Sequence, residues 1–244
     1  FDPGLAERDW AGAMNDACKL LHEKGGRTAT AVILDEFQQV AEIDDGLAGV
    51  FKGILDECPG TSWTLAGSHL HMMGRLTTLP GAPLLGMGDV LRLGPVPDEA
   101  MRAFLVERAL ACGKVLPDAA AAAVCELAGP VPNDIQRLAQ HAFDVAEDTI
   151  DVEAVESGMS VAVSRQEETF AERFEQLAPS QQRLLSLLAG EDLDQPMSRT
   201  VATRIEVTEG AVRKSLRVLD DMELVVRRKG RWEVADPFMR RWLR

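Results

Sequence analysis

The sequence lacks the patterns of a membrane span, a disulfide framework and a zinc site. No window approaches about eighteen consecutive apolar residues, and the first residues do not combine a basic segment with an apolar one. The four cysteines have no CxxC spacing, and the four histidines have no metal-ligand spacing with cysteines or carboxylates. We therefore expect a cytoplasmic protein with no membrane partner, whose 46% hydrophobic residues form an ordinary packed core.

Basic residues are scarce overall and concentrated at the carboxyl end. The chain has 26 lysines and arginines against 39 aspartates and glutamates, which gives a net charge of −13. Residues 196–244 reverse this balance, with 12 basic and 7 acidic residues. The bulk charge argues against non-specific nucleic-acid binding by the whole chain, whereas the local excess indicates an anion-facing surface near the carboxyl end.

Two short apolar runs end in polar residues that suit a ligand site. Residues 29–34 lead into Asp35 and Glu36, and residues 62–67 lead into Ser68. Such runs are typical of parallel strands covered by helices on both faces, and ligands bind such sheets beyond the carboxyl ends of the strands. In phosphoryl-transfer sites one carboxylate holds Mg²⁺ and the next polarises an attacking water. We expect Asp35 and Glu36 to play these roles, and the alternative is an ordinary exit from a strand.

Residues 1–94 show the alternation of an α/β fold with a parallel sheet. Helical periodicity over residues 5–24 and 45–57 alternates with the two apolar runs, and a third run at residues 89–93 is the expected last strand. A parallel strand needs neighbours, and no β-α-β unit precedes residue 29. The sequence therefore predicts a partial parallel sheet.

A phosphate-binding loop is also missing from the sequence. Such a loop has the pattern GxxxxGK[ST], in which backbone amides cradle the phosphates and the lysine reaches the terminal ones. The nearest approach, residues 25–28 (GGRT), lacks the lysine and is better explained as the end of the preceding helix. We therefore expect the sequence to be a fragment. A phosphate loop upstream of Phe1 would favour ATP hydrolysis, and its absence there would favour a degenerate ATPase scaffold.

The pattern changes to helices alone from residue 95. Apolar periodicity predicts helices that begin near Asp98, Pro117, Pro132 and Asp151, with Asp98 as the N-cap of the first and a short fourth helix. The alanine-rich composition favours close packing of these helices. Residues 95–165 are therefore predicted to form a small all-α domain.

Residues 166–244 have the pattern of a winged helix. Two amphipathic helices precede a short helix at residues 198–205, a tight turn and a longer helix at residues 209–222. Two stretches rich in β-branched residues then flank residues 228–230 (RKG), as the strands of a hairpin would. Helix, turn, helix and hairpin in this order define a winged-helix domain.

Several cations lie where a winged helix would contact double-stranded DNA. On the longer helix, Val212 and Leu216 point inward, so the neighbouring cations fall on the outer side. A recognition helix and a basic hairpin tip contact the groove and the phosphate backbone. The candidate DNA-binding residues are Arg213, Lys214, Arg217, Arg227, Arg228, Lys229 and Arg231. The alternative is a module that docks on a partner protein, in which these cations are merely solvated.

Taken in order, five segments resemble an AAA+ ATPase of the archaeal-type, STAND-related group, which is related to origin-recognition ATPases. Such proteins have an α/β core, a helical lid and a winged helix. The resemblance covers nearly the whole chain and divides it into a core at residues 1–94, a lid at residues 95–165 and a winged-helix domain at residues 166–244. The segments are a Walker B-like VILDE at residues 32–36, a sensor 1-like LAGS at 65–68, PLLG at 83–86, GPVP at 129–132 and WEVADPF at 232–238.

The resemblance implies ATP and Mg²⁺ as cofactors. It assigns Mg²⁺ to Asp35, the attacking water to Glu36 and the γ-phosphate to Ser68. Two positions depart from the pattern, because Met87 and Asn133 stand where members of this group often have an arginine. Arg137, one turn beyond Asn133, is the candidate to contact the nucleotide instead, and its alternative is an ordinary surface role.

Three hypotheses of function follow from these observations. The first is a nucleotide-driven switch that couples ATP hydrolysis to a winged helix bound to DNA or to a partner protein. The second is a regulator with a degenerate ATPase scaffold that positions the winged helix without hydrolysis, and Met87 and Asn133 favour it. The third is a protein-interaction adaptor. The resemblance also allows an oligomer, and without its phosphate loop the fragment is expected to bind ATP poorly.

Overall fold

Two short runs rich in threonine and aliphatic residues form a parallel pair of strands. The computed structural model describes residues 12, 16–17, 19–20, 30–40, 46–57, 60–191, 193 and 195–244. Strand β1 (Thr30–Leu34) pairs with β2 (Thr61–Leu65), in a register that sets Val32 opposite Trp63 and Leu34 opposite Leu65. The expected parallel arrangement of these two runs is confirmed. The expected helix over residues 5–24 and the glycine pair at its end lie largely outside the described residues.

The connection between these strands contains a helix, as is usual for the crossover that joins two parallel strands. It contains α1 (Leu47–Glu57), and α2 (Leu70–Thr77) follows β2. Phe37, just after β1, is buried and meets the ring of Phe51 edge to face, with centroids 4.9 Å apart. The core around this pair fixes where β1 ends. Its buried residues are Phe37, Ala48, Phe51, Leu76 and Leu84.

The third predicted strand is wrong. Residues 89–93 have no regular structure, and their side chains are open to solvent, with Leu91 84% and Leu93 88% exposed. A strand forms only where another strand accepts its hydrogen bonds, and in the described part of the chain β1 and β2 pair only with each other. Ile33 on β1 is also 71% exposed, so among the described residues no helix covers the face of the sheet that carries it.

The chain divides into two compact units, Phe1–Arg92 and Leu93–Arg244. The second unit begins with α3 (Asp98–Ala111), α4 (Asp118–Ala128), α5 (Pro132–Val145) and α6 (Val152–Ser164). The N-cap of α3 is Pro97 and not Asp98, which lies inside the helix, where its charge suits the positive end of the helix dipole. Helix α6 has 13 residues and is longer than the short helix expected, with Asp151 as its N-cap.

Helices α5 and α6 pack backbone to backbone. A Cβ atom at Gly158 would lie 2.8 Å from the Cα of Ala142 and 2.9 Å from the carbonyl carbon of His141. Only glycine permits this approach, since such distances lie well inside van der Waals contact. Ala142 and Val155 are fully buried beside this contact.

The winged helix is built from α7 (Glu167–Glu175), α8 (Pro179–Gly190), α9 (Arg199–Arg204), α10 (Glu209–Asp221), β3 (Val225–Arg228), β4 (Arg231–Val234) and α11 (Pro237–Trp242). The hydroxyl of Thr208 caps α10 by accepting from the Ala211 amide at 3.2 Å. Lys229 and Gly230 both have positive φ, at 49° and 85°, as the two-residue turn of a tight antiparallel hairpin requires.

The helical part and the winged helix share one hydrophobic core. Buried side chains run without interruption from Leu105 on α3 through Leu138 and Phe170 to Phe238 on α11. Buried side chains from both sides of the expected boundary between residues 165 and 166 therefore pack in the same core. No helix in the described part of the chain is long and apolar enough to cross a bilayer.

Candidate functional site

The backbone brings the two polar strand ends together. The β1–β2 ladder continues past both strands, because the Ala66 amide donates to the Leu34 carbonyl at 2.8 Å and the Phe37 amide donates to the Ala66 carbonyl at 2.9 Å. Each bond fixes one strand end against the other. Asp35 and Glu36 therefore lie beside the segment that leads to Ser68, as the sequence predicted.

The Ser68 hydroxyl contacts the Glu36 carboxylate directly. Its Oγ donates to Oε2 of Glu36 at 3.0 Å and lies 3.3 Å from Oε1. Glu36 has φ of 51°, a left-handed conformation that costs a residue with a Cβ about 1 kcal/mol. Strain of this kind persists where the surroundings enforce it, and it turns the carboxylate back toward Ser68.

Asp35 presents a partly free carboxylate next to this pair. Its Oδ1 accepts the backbone amide of Glu36 at 2.9 Å, and the side chain is exposed. The described residues hold no group of three histidines, cysteines or carboxylates that could form a metal cage by itself. An exposed carboxylate with few protein neighbours fits Mg²⁺, because this ion keeps several waters and binds through one or two carboxylates plus substrate phosphates.

Gln38 is a residue of this site that the sequence analysis missed. Its side chain is only 7% exposed, and its Nε2 donates to Oε2 of Glu36. Gln38 belongs to no recognisable sequence motif for a catalytic or binding residue. The neighbouring Gln39 is exposed. Nothing in the sequence distinguishes the two glutamines.

Arg137, the candidate nucleotide contact, is engaged inside the second unit. Its guanidinium Cζ lies 4.0 Å from the centroid of the Phe238 ring, and its Nη1 lies 4.0 Å from Oδ1 of Asp134. Burial raises the pKa of Asp134, and Asp236 raises it further by repulsion, while Arg137 and Arg228 act in the opposite direction. Arg137 thus joins α5 to the last helix of the winged helix.

Most of the candidate DNA-binding cations are exposed. On α10, Arg213, Lys214 and Arg217 face solvent, while Val212 and Leu216 are buried, which confirms the predicted inner face of the helix. On the hairpin, the exposed cations are Arg227, Lys229 and Arg231.

Arg228 differs from the other cations of the hairpin. Its Nη1 donates to Oε1 of Glu233 at 2.8 Å across the β3–β4 pair, and both side chains are 29% exposed. The same nitrogen approaches Gly129 at the end of α4. Arg228 therefore points toward the helical part of the second unit.

An apolar groove of about 330 Å³ lies in the helical part. Its floor includes Leu105, Val124 and Ile150, and Phe104 and Arg108 stand at its rim. None of the candidate site residues lines it. A triphosphate needs several cations and amide donors, so this groove does not suit a nucleotide.

One family model matches the chain, with the description "Probable winged helix domain", over residues 168–244. This range begins in α7 and extends to the carboxyl end, and it agrees with the helices and hairpin described above. The chain ends in a winged-helix domain. No curated protein sequence matches this chain.

Among solved structures, the chain is similar to the Walker-type ATPase PABY2304 of Pyrococcus abyssi, with a TM-score of 0.68 and 17% identity over 94% of this chain and 67% of that one. A match to Thermotoga maritima RuvB has a TM-score of 0.47 and 15% identity, over 95% of this chain and 73% of that one. At such identities the first likeness shows the fold alone. The chain therefore has a fold similar to that of this Walker-type ATPase, with a partial parallel sheet, an all-α part and a winged helix.

Proposed function

We propose that the protein is an ATP-driven switch of the archaeal-type, STAND-related AAA+ group, whose nucleotide state controls its winged helix. One observation carries this proposal. The hydroxyl of Ser68 contacts the carboxylate of Glu36 beside Asp35, at the carboxyl ends of two paired parallel strands. This edge is where ligands bind open parallel sheets.

The three side chains suit ATP hydrolysis. Asp35 would hold Mg²⁺, which supplies charge neutralisation to the phosphates when bound. Glu36 would accept a proton from water as the water oxygen bonds to the γ-phosphorus and the bond to the β–γ bridging oxygen breaks. Ser68 would lie beside the γ-phosphate, with its hydroxyl still donating to the Glu36 carboxylate.

The output of the switch would be the basic surface of the winged helix. Arg213 and Arg217 lie one turn apart on the exposed side of α10, and Lys229 lies at the hairpin tip. Cations in this arrangement suit the phosphates of double-stranded DNA. We propose that DNA is the partner, and the alternative partner is a protein with an acidic surface.

Hydrolysis is tested with Glu36→Gln in the full-length protein. Removing the base while keeping the shape should abolish Mg²⁺-dependent turnover and spare ATP binding. Glu57→Gln, at an exposed carboxylate on α1, is the matched control and should hydrolyse ATP like the wild type. Unchanged turnover in Glu36→Gln would remove Glu36 from the mechanism.

A second candidate is the non-hydrolysing regulator. It is favoured by Met87 and Asn133 at positions that often carry arginine in this group, and by Arg137, which is engaged with Phe238 and Asp134. A nucleotide contact by Arg137 would compete with these partners. This candidate predicts that the wild type and Glu36→Gln bind DNA equally and that neither hydrolyses ATP.

A further inference from the structure

The burial of Gln38 lowers the stability of the folded state, because one polar atom of its amide has no hydrogen-bond partner in the described part of the chain. Its Nε2 donates to Oε2 of Glu36, while its Oε1 is buried without a hydrogen-bond partner among the described residues. A buried acceptor that loses water and gains no donor destabilises the folded state. The orientation of the amide is therefore set by Glu36, since the reverse orientation would place an amide oxygen against a carboxylate.

Gly67, on the other strand end, makes room for this amide. A Cβ atom at Gly67 would collide with Oε1 of Gln38 and would lie 2.6 Å from Sδ of Met73. The φ of Gly67 does not demand glycine, but a Cβ atom at this position would displace the side chains of Gln38 and Met73. The Gln38 amide, from the turn after β1, thus packs against Gly67, from the end of β2.

The Glu36 carboxylate is consequently held from two directions. Ser68 donates to it from the end of β2, and Gln38 donates to it from the turn after β1. The last torsion of a glutamate is soft, so a single donor leaves the carboxylate free to rotate. Two donors on Oε2 fix the plane of the group and leave Oε1, which has only the longer contact of 3.3 Å to Ser68, as the oxygen available to accept a proton.

We propose that Gln38 is a positioning residue that holds the Glu36 carboxylate in the orientation it needs to activate water, with Gly67 as the space that permits it. This proposal rests on the proposed ATP hydrolysis. Gln38 touches neither water nor phosphate in this role and acts only through Glu36. Its removal should therefore lower the rate of the chemical step and leave ATP binding intact.

The first test is steady-state ATP turnover by the full-length protein with Mg²⁺. Gln38→Leu keeps the volume and removes the donor, and it should lower kcat by about 10- to 100-fold with KM changed by less than about twofold. Gln39→Leu, at the exposed neighbour, is the matched control and should match the wild type. Gly67→Ala should lower kcat in the same way, because its methyl group displaces the amide. A wild-type kcat in Gln38→Leu would overturn the proposal.

The second test does not need hydrolysis. Melting temperatures of Glu36→Ala, Gln38→Ala and the double variant form a double-mutant cycle. If the two side chains interact, the double variant loses clearly less than the sum of the single losses. Additive losses would overturn the positioning role. If the wild type shows no turnover at all, the proposed hydrolysis fails, and the cycle alone decides whether Gln38 holds Glu36.

Discussion

The guanidinium carbon of Arg137 lies 4.0 Å from the centroid of the Phe238 ring. Phe238 is fully buried in α11, and the Arg137 side chain is 30% exposed on α5. The contact joins the helical part to the winged helix, alongside the continuous core. Arg137 therefore connects α5 to α11 by a direct side-chain contact.

Arg137→Ala should destabilise the protein by about 1–2 kcal/mol. The substitution removes a half-buried cation–π contact and the packing of the arginine stem. Chemical denaturation of the full chain measures the loss. The control is Arg108→Ala, whose guanidinium lies 6.0 Å from the exposed ring of Phe104 and should contribute little. Equal effects of the two substitutions would contradict the role of Arg137 at the junction.

Asp134→Asn should change how stability depends on pH. Because burial and Asp236 raise the pKa of Asp134, the folded state holds its proton more tightly than the unfolded state. The stability that Asp134 contributes is therefore complete below its ordinary pKa and is lost as the pH rises through the raised value. Relative to the wild type, Asp134→Asn should gain melting temperature as the pH rises above the ordinary aspartate pKa of about 4. A difference between Asp134→Asn and the wild type that does not change with pH would contradict this prediction.

Gly158→Ala should destabilise the second unit by about 1–3 kcal/mol, the usual cost of overpacking a tight core. The added methyl group meets backbone atoms of Ala142, which cannot move without displacing α5. Thermal denaturation measures this cost. Gly53→Ala on α1 is the matched control, since no atom lies within 4 Å of its Cβ, and it should stabilise its helix by about 0.5–1 kcal/mol. A neutral Gly158→Ala would show that the two helices separate easily.

Arg217→Ala should weaken binding of duplex DNA and lower the slope of log K against log salt concentration by about 1. If DNA binds as proposed, the substitution removes one phosphate contact on the exposed side of α10. Titrations of the full chain at two or more salt concentrations measure the slope. Arg173→Ala, at an exposed position on α7, should leave the slope unchanged. Salt-independent binding, or none, would favour a protein partner.

Local patterns were enough to predict much of this fold. The strand pair followed from two short apolar runs, and the helices followed from their periodicity, because both signals lie within a dozen residues. The placement of Ser68 and Glu36 at one edge of the sheet was predictable for a general reason, since parallel strands end at the same edge. The winged helix was predictable from the order of its elements.

The features that the sequence could not predict depend on partners that are distant in the sequence. Residues 89–93 look like a strand, but a strand exists only where another strand lies beside it. The place of Arg137 depends on Phe238, about one hundred residues further along, and no local pattern indicates that contact. Gln38 and Gln39 are indistinguishable until the turn after β1 buries one of them and exposes the other.

The ion pair between Arg228 and Glu233 means that any anion approaching the hairpin competes with Glu233 for Arg228. Arg228 and Glu233 form an ion pair at 2.8 Å. An anion that binds Arg228 must break this pair, and the freed carboxylate of Glu233 would then repel the anion. The net binding free energy from Arg228 is therefore the difference between its attraction to the anion and its attraction to Glu233. Lys229, at the tip of the hairpin, is exposed and has no such competitor among the described residues. An anion can therefore bind Lys229 without breaking an ion pair.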